Sequence, residues 1–162
     1  MNSDQDFLRE EPPGHGGPSK PSPVLVYLRR IEADHRTGND TEHTHRPALK
    51  SLLETLNTRV AVTNEPKRIA CGAPDLVINQ RKTGLLIGHV EAKDIGVSLK
   101  EAKKSDQLKR YLPALANLVL TDYVEFRWFV DGAERAKFRL GEVKSNGEIV
   151  PGLPRSPMPK KS

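Results

Sequence analysis

The stretch Gly72–Asp94, GAPDLVINQRKTGLLIGHVEAKD, decides the fold. It reads as two apolar strands, Leu76 to Ile78 and Leu85 to Val90, joined by a short polar turn. Pro74 stands at the entrance of the first strand, where a missing N–H does least harm. Both strands carry charge where buried strands should have none: Asp75 opens the first, and Glu91 and Lys93 close the second. Side chains alternate along a strand, so Glu91 and Lys93 point the same way. Desolvating two carboxylates and an ammonium costs several kcal/mol per ion unless they are paired or hold a metal, so a fold that keeps them has a use for them.

Working outward, Arg59 to Thr63 is β-branched and alternating and predicts a preceding strand that ends at Asn64-Glu65-Pro66. Before it, Asp40 or Thr41 can cap a helix running to about Asn57, with Ala48, Leu49, Leu52, Leu53 and Leu56 as its apolar stripe. Glu42 lies seven residues before Leu49, on that same face, while Glu54 lies off it and is expected in solvent. A shorter helix over Ser22 to about Asp34 follows from Val24, Leu25, Leu28 and Ile31, and ends at Gly38-Asn39. After the central stretch, Ser98 caps a basic helix to about Leu115, kinked at Pro113. Asn117 to Thr121 is an apolar strand, and Val124 to Val130 with Ala136 to Leu140 suggests a terminal hairpin turning at Asp131-Gly132. The domain therefore spans residues 22–143, between a Pro/Gly-rich tail at 1–21, expected to be disordered, and a flexible tail or linker at 144–162.

One domain is what 162 residues allow. No run approaches the about 18 apolar residues a membrane helix needs, and the amino terminus lacks the basic and apolar regions of a signal peptide, so a cytoplasmic, non-membrane protein is expected. A single cysteine, Cys71, excludes an internal disulfide framework and a cysteine-based zinc site; beside a strand it reads as a small core residue. The excess of 26 basic over 21 acidic residues permits a polyanionic partner. Much of it is local: Lys100, Lys103, Lys104, Lys109 and Arg110 face only Glu101 and Asp106 between residues 98 and 111.

Asp75 and Glu91 offer hard oxygen ligands, which favour Mg²⁺ or Mn²⁺ over zinc. With Glu42 they make three negative charges against one from Lys93, a balance a dication would neutralise; a metal-free ion pair of Lys93 with Asp75 or Glu91 is the other solution. Glu42 can equally be an ordinary carboxylate at a helix amino end. Gln107 and Tyr111, one turn apart, share a helix face that either reaches the site or simply packs at the core edge.

Pro74-Asp75, fifteen residues, then Glu91-Ala92-Lys93 resembles the PD-(D/E)XK nuclease signature, and the element order resembles that family's αβββαβ core. Gln107 to Tyr111 resembles the Q-x-x-x-Y motif of one branch, and Glu42 sits where the family's first-helix acid would be. The segments Thr41–Leu49 and Asn117–Arg127 also look like the amino-terminal endonuclease region of fused restriction-modification enzymes that continue into an adenine methyltransferase. The resemblance covers about residues 41 to 122. It implies an α/β restriction-endonuclease-like fold, with a mixed central sheet flanked by helices and a C-terminal hairpin. It also implies a Mg²⁺-dependent DNA endonuclease: Asp75 and Glu91 coordinate the ion, helped by the Ala92 carbonyl and Glu42, and Lys93 positions the water. Gln107 and Tyr111 would support that site or touch a phosphate, and Lys100, Lys103, Lys104, Lys109 and Arg110 would bind DNA. The sequence has no glycine-rich cofactor loop, P-loop or Asn/Asp-Pro-Pro-Tyr/Phe motif, so methylation and ATP-driven translocation are not assigned. The resemblance leaves room for a methyltransferase or specificity partner and for a homodimer on DNA, since double-strand cleavage by one such site usually takes two copies; a free-standing nuclease, a shortened chain and a gene remnant all fit. The competing expectation is a catalytically silent DNA-binding or assembly module.

Among the histidines, His43 and His45 lack helical zinc spacing and are expected in solvent, and His89 reads as a hydrogen-bonded strand residue beside Glu91. Asp94 falls on the face opposite Glu91 and Lys93. Phe126, Trp128 and Phe129 read as core.

Overall fold

The computed structural model describes residues 19–152. Helices α1 (Pro23–His35) and α2 (Glu42–Leu56) lead into strands β1 (Val60–Asn64), β2 (Leu76–Gln80) and β3 (Leu86–Ala92). Helices α3 (Leu99–Ala102) and α4 (Asp106–Ala114) follow, then β4 (Asn117–Thr121), β5 (Glu125–Val130), β6 (Ala133–Arg139), β7 (Gly141–Val143) and β8 (Ile149–Pro151). The first six strands form one sheet in sequence order, antiparallel throughout except that β3 and β4 run parallel. The αβββαβ order and the mixed sheet flanked by helices are therefore present.

Local chemistry sets these elements. Ser22 caps α1 by accepting the Leu25 N–H at 3.2 Å, and Pro23 fits the first helical turn. Thr41 and Thr44 exchange hydrogen bonds at the start of α2, and the Asp94 carboxylate accepts the Glu42 N–H at 2.6 Å, so a loop after β3 completes that cap. Tyr123 holds the same end from another side: its buried hydroxyl donates to the Glu42 carbonyl, and its own carbonyl accepts from Tyr27 of α1. Asp122, also buried, accepts the N–H groups of Gly96, Val124 and Glu125 and fastens the turn after β4 to the loop after β3.

Alternation along the strands divides the core. Leu28, Ile31, Leu49 and Leu52 of α1 and α2 pack with Val62, Leu76, Val90 and Phe126 on one face, while Leu108, Tyr111 and Leu115 of α4 pack with Leu118, Leu120 and Phe129 on the other.

Several expectations need correction. The basic helix from Ser98 to Leu115 is two helices, because Ser105 starts a second one by capping the Leu108 N–H at 3.3 Å. The strands near Val124–Leu140 do form a hairpin, but it extends the main sheet as β5 and β6; the separate C-terminal hairpin is β7–β8. The boundary near residue 143 falls between those last two strands, and Ile149 is buried, its N–H held by Glu32 of α1. Leu56 ends its helix in solvent, and Glu54 is not free there, since it accepts the Val62 N–H at 2.9 Å. Leu85, Leu86 and Ile87 are exposed, as is Trp128, whereas Phe126 and Phe129 are buried. These residues lie where neither helical layer covers the sheet. Nearly all of the expected tail at 1–21, and residues 153–162, lie outside the described residues.

Phe129→Ala is expected to lower the unfolding free energy by ~3–5 kcal/mol in urea denaturation. Leu85→Ala, at a 67% exposed site, stays within about 0.5 kcal/mol of the parent.

Candidate active site

The antiparallel register pairs Leu76 with Val90, which sets the preceding residue, Asp75, opposite the following one, Glu91. Directly opposed residues share a face with Cβ atoms about 5 Å apart. Both carboxylates are buried, at 8% and 3% exposure. They sit at the carboxyl end of β3, where both helical layers can reach.

Two cations reach them. Just past β3, Lys93 places its ammonium 3.3 Å from Glu91 Oε1 and 2.7 Å from Gln107 Oε1 of α4; Gln107 Nε2 in turn donates to the Tyr111 hydroxyl at 3.4 Å. Glu91, Lys93, Gln107 and Tyr111 are thus one hydrogen-bonded chain, while the Tyr111 ring also packs in the core. Tyr111 closes against the β1–β2 loop: a Cβ on Gly72, whose φ is +141°, would stand 2.9 Å from its ring. Burial, with the nearby Glu91 charge adding to it, raises the Tyr111 hydroxyl above its usual range despite the opposing bond from Gln107, so it remains neutral.

From α2 comes Arg46, which the sequence reading missed. Its guanidinium is buried, hydrogen-bonds Asp75 Oδ1, and reaches Glu65 at 3.4 Å and Glu42 at 3.9 Å. Asp75 Oδ2 accepts the Ala92 N–H at 2.8 Å. An arginine one turn beyond Glu42 on an amphipathic helix is the only signal in the sequence, and it reads equally as a solvated charge. Glu42 itself is partly exposed at the rim, with its side chain 33% accessible.

The charge balance changes accordingly. Asp75, Glu91 and Glu42 give −3 and Arg46 and Lys93 give +2, a net of −1 rather than the −2 expected without Arg46. Burial, together with the Asp75 charge, pushes the Glu91 carboxyl up to about 7, and Lys93 only partly offsets it. Charge alone therefore does not demand a dication. One atom does invite it: Glu91 Oε2 is buried and has no hydrogen-bond partner among the described residues. A carboxylate oxygen with open lone pairs, beside a second carboxylate, fits a hard divalent cation.

The remaining expected residues separate. Lys100, Lys109 and Arg110 are exposed; Arg110 also donates to the Cys71 carbonyl at 3.4 Å, and Lys109 lies 3.9 Å from Asp106. Lys104 is exposed and paired with Glu101 at 3.2 Å. Lys103 turns inward instead, its ammonium 5.4 Å from the centre of the Phe129 ring. His89 is buried, and burial holds it below its usual pKa, hence neutral. His45, expected in solvent, is fully buried, while His43 is exposed. A cleft of ≈ 980 Å³ between α1 and the β5–β6 hairpin contains none of the carboxylate-site residues.

A solved cryo-EM structure of the DrdV–DNA complex shares this fold over 72% of the chain, with a TM-score of 0.60 and 19% identity. The chain spans 12% of the length of that protein. No protein-family model matches the sequence, and no curated protein matches it. None of the described helices is long and apolar enough to cross a membrane.

Two outcomes test this geometry. With divalent metal chelated, Glu91 holds its proton more tightly in the folded chain than in the unfolded one. Its stabilising contribution is therefore complete below the unfolded value of 4.5 and is lost as pH rises through about 7. The loss is at most ~3 kcal/mol, and Glu91→Gln should flatten that slope in denaturation measured across pH. Arg46→Met leaves Asp75 buried and unpaired and should cost ~3–5 kcal/mol; adding Asp75→Asn should recover part of it in a double-mutant cycle.

Proposed function

We propose that this domain is a Mg²⁺-dependent DNA endonuclease that hydrolyses phosphodiester bonds, as a component or fragment of a restriction-modification system. The observation that carries the reading is the joint placement of Asp75, Glu91 and Lys93, with Glu91 Oε2 left open. Asp75 and Glu91, with the Ala92 carbonyl and Glu42, would hold the ion. Bound there, Mg²⁺ (or Mn²⁺) supplies Lewis acidity toward the phosphoryl oxygens and lowers the pKa of an attacking water.

The chain's own groups supply the rest. Gln107 fixes the Lys93 ammonium, so that it can orient the water and oppose charge developing on the phosphate. Tyr111 fixes Gln107 in turn. The exposed cations Lys100, Lys109 and Arg110 suit the phosphate backbone, and Lys104 can exchange Glu101 for it. The presence of DNA in the structurally similar DrdV complex supports a DNA partner. A methyltransferase or specificity partner and a homodimer belong to the same proposal.

One observation favours a second reading. Both Asp75 oxygens already accept hydrogen bonds, from Arg46 and from the Ala92 N–H, as they would in a silent DNA-binding module. Incubation of the purified protein with supercoiled DNA separates the two. Mg²⁺-dependent nicking, abolished by Lys93→Ala and by Asp75→Ala, is expected; cleavage that survives both changes refutes the assignment. A gel shift that persists in chelator, with no cleavage under any metal, supports the silent module.

A further inference from the structure

We propose that His35, Asp40 and His45 form a transition-metal site, suited to Zn²⁺, that staples the end of α1 to the start of α2. His35 is the last residue of α1, Asp40 precedes the cap of α2, and His45 lies in its first turns, with Gly38 at φ +73° reversing the chain between them. His35 Nδ1 lies 2.8 Å and His45 Nε2 2.7 Å from the same oxygen, Asp40 Oδ2. All three donor atoms lie within 4.8 Å of one another. Two imidazoles needing only a carboxylate acceptor could divide between its two oxygens; here they converge on one.

The donor set decides the metal. Two imidazole nitrogens and one carboxylate oxygen suit Zn²⁺, whereas the all-oxygen carboxylate site suits Mg²⁺. Zinc–ligand bonds of about 2.0–2.2 Å would require each imidazole nitrogen to move only ~0.5 Å away from the Asp40 oxygen. His45 forms a dry floor, its ring 5.1 Å from that of Tyr123 in an edge-on arrangement. Its other nitrogen, Nδ1, has no partner among the described residues. His35 and Asp40 keep 24% and 11% side-chain exposure, which leaves an open side for a water as fourth ligand. The proposal stands apart from the nuclease reading.

The test is calorimetric and thermal titration of the chelator-treated full chain with Zn²⁺, repeated in Glu91→Gln so that the carboxylate site cannot account for the binding. One equivalent of Zn²⁺ bound, with a rise in Tm, is expected in both, uncompeted by excess Mg²⁺. His35→Ala, at a partly exposed helix end where folding should survive, and Asp40→Asn should each weaken binding at least ten-fold. Co²⁺ should give a visible absorption band that His35→Ala removes. No Zn²⁺-dependent rise in Tm, or an undiminished equivalent in both variants, would overturn the proposal and leave Asp40 as a plain acceptor for two histidines.

Discussion

The pairing of β2 with β3 places two carboxylates side by side in the interior, and most of the remaining polar architecture answers that placement. Asp75 and Glu91 are neighbours because Leu76 opposes Val90, a register that the apolar faces of both strands enforce. A one-residue slip would turn Val90 to the wrong face and separate the acids. Hydrophobic patterning thus fixes the position of the charges, although the charges oppose burial.

What neutralises them comes from opposite sides of the sheet. Arg46 arrives from α2 and Lys93 is steadied by Gln107 from α4, so the site holds together only while both helices remain in place. The molecule invests heavily in the first of these. Asp94 and Tyr123 both fasten the start of α2, and Asp122 fastens the loop that carries Asp94. Side chains that look like turn and strand residues in the sequence are, in three dimensions, the supports that aim Arg46 and Glu42.

The two functional readings describe one competition. Arg46 holds Asp75, which the proposed divalent cation would also seek, while Glu91 keeps an oxygen that Arg46 does not occupy. A bound ion would add ligation to Glu91 and share Asp75; the guanidinium alone suffices to bury Asp75. The cations on α3 and α4 are not equally free, because Lys103 is committed to the Phe129 ring.

The order of elements, the proximity of Asp75 to Glu91, the helix starts near Ser22 and Thr41 and the cap at Ser98 were legible in the sequence, because each follows from interactions a few residues long or from two strands joined by a tight turn. Burial was not legible wherever it depends on what lies above a face. His45 reads as solvent-facing and Arg46 draws no notice on its helix, yet both are buried because α2 lies over the end of the sheet; Leu85, Leu86 and Trp128 read as interior and are exposed because none of the described helices covers them. The break at Ser105 is local, yet the helical spacing of the leucines around it hid it. Sequence therefore determined which chemical groups are present and which strands meet. Only the tertiary structure decided which charges lose their water, because desolvation is set by the layer packed on top and not by the neighbours along the chain.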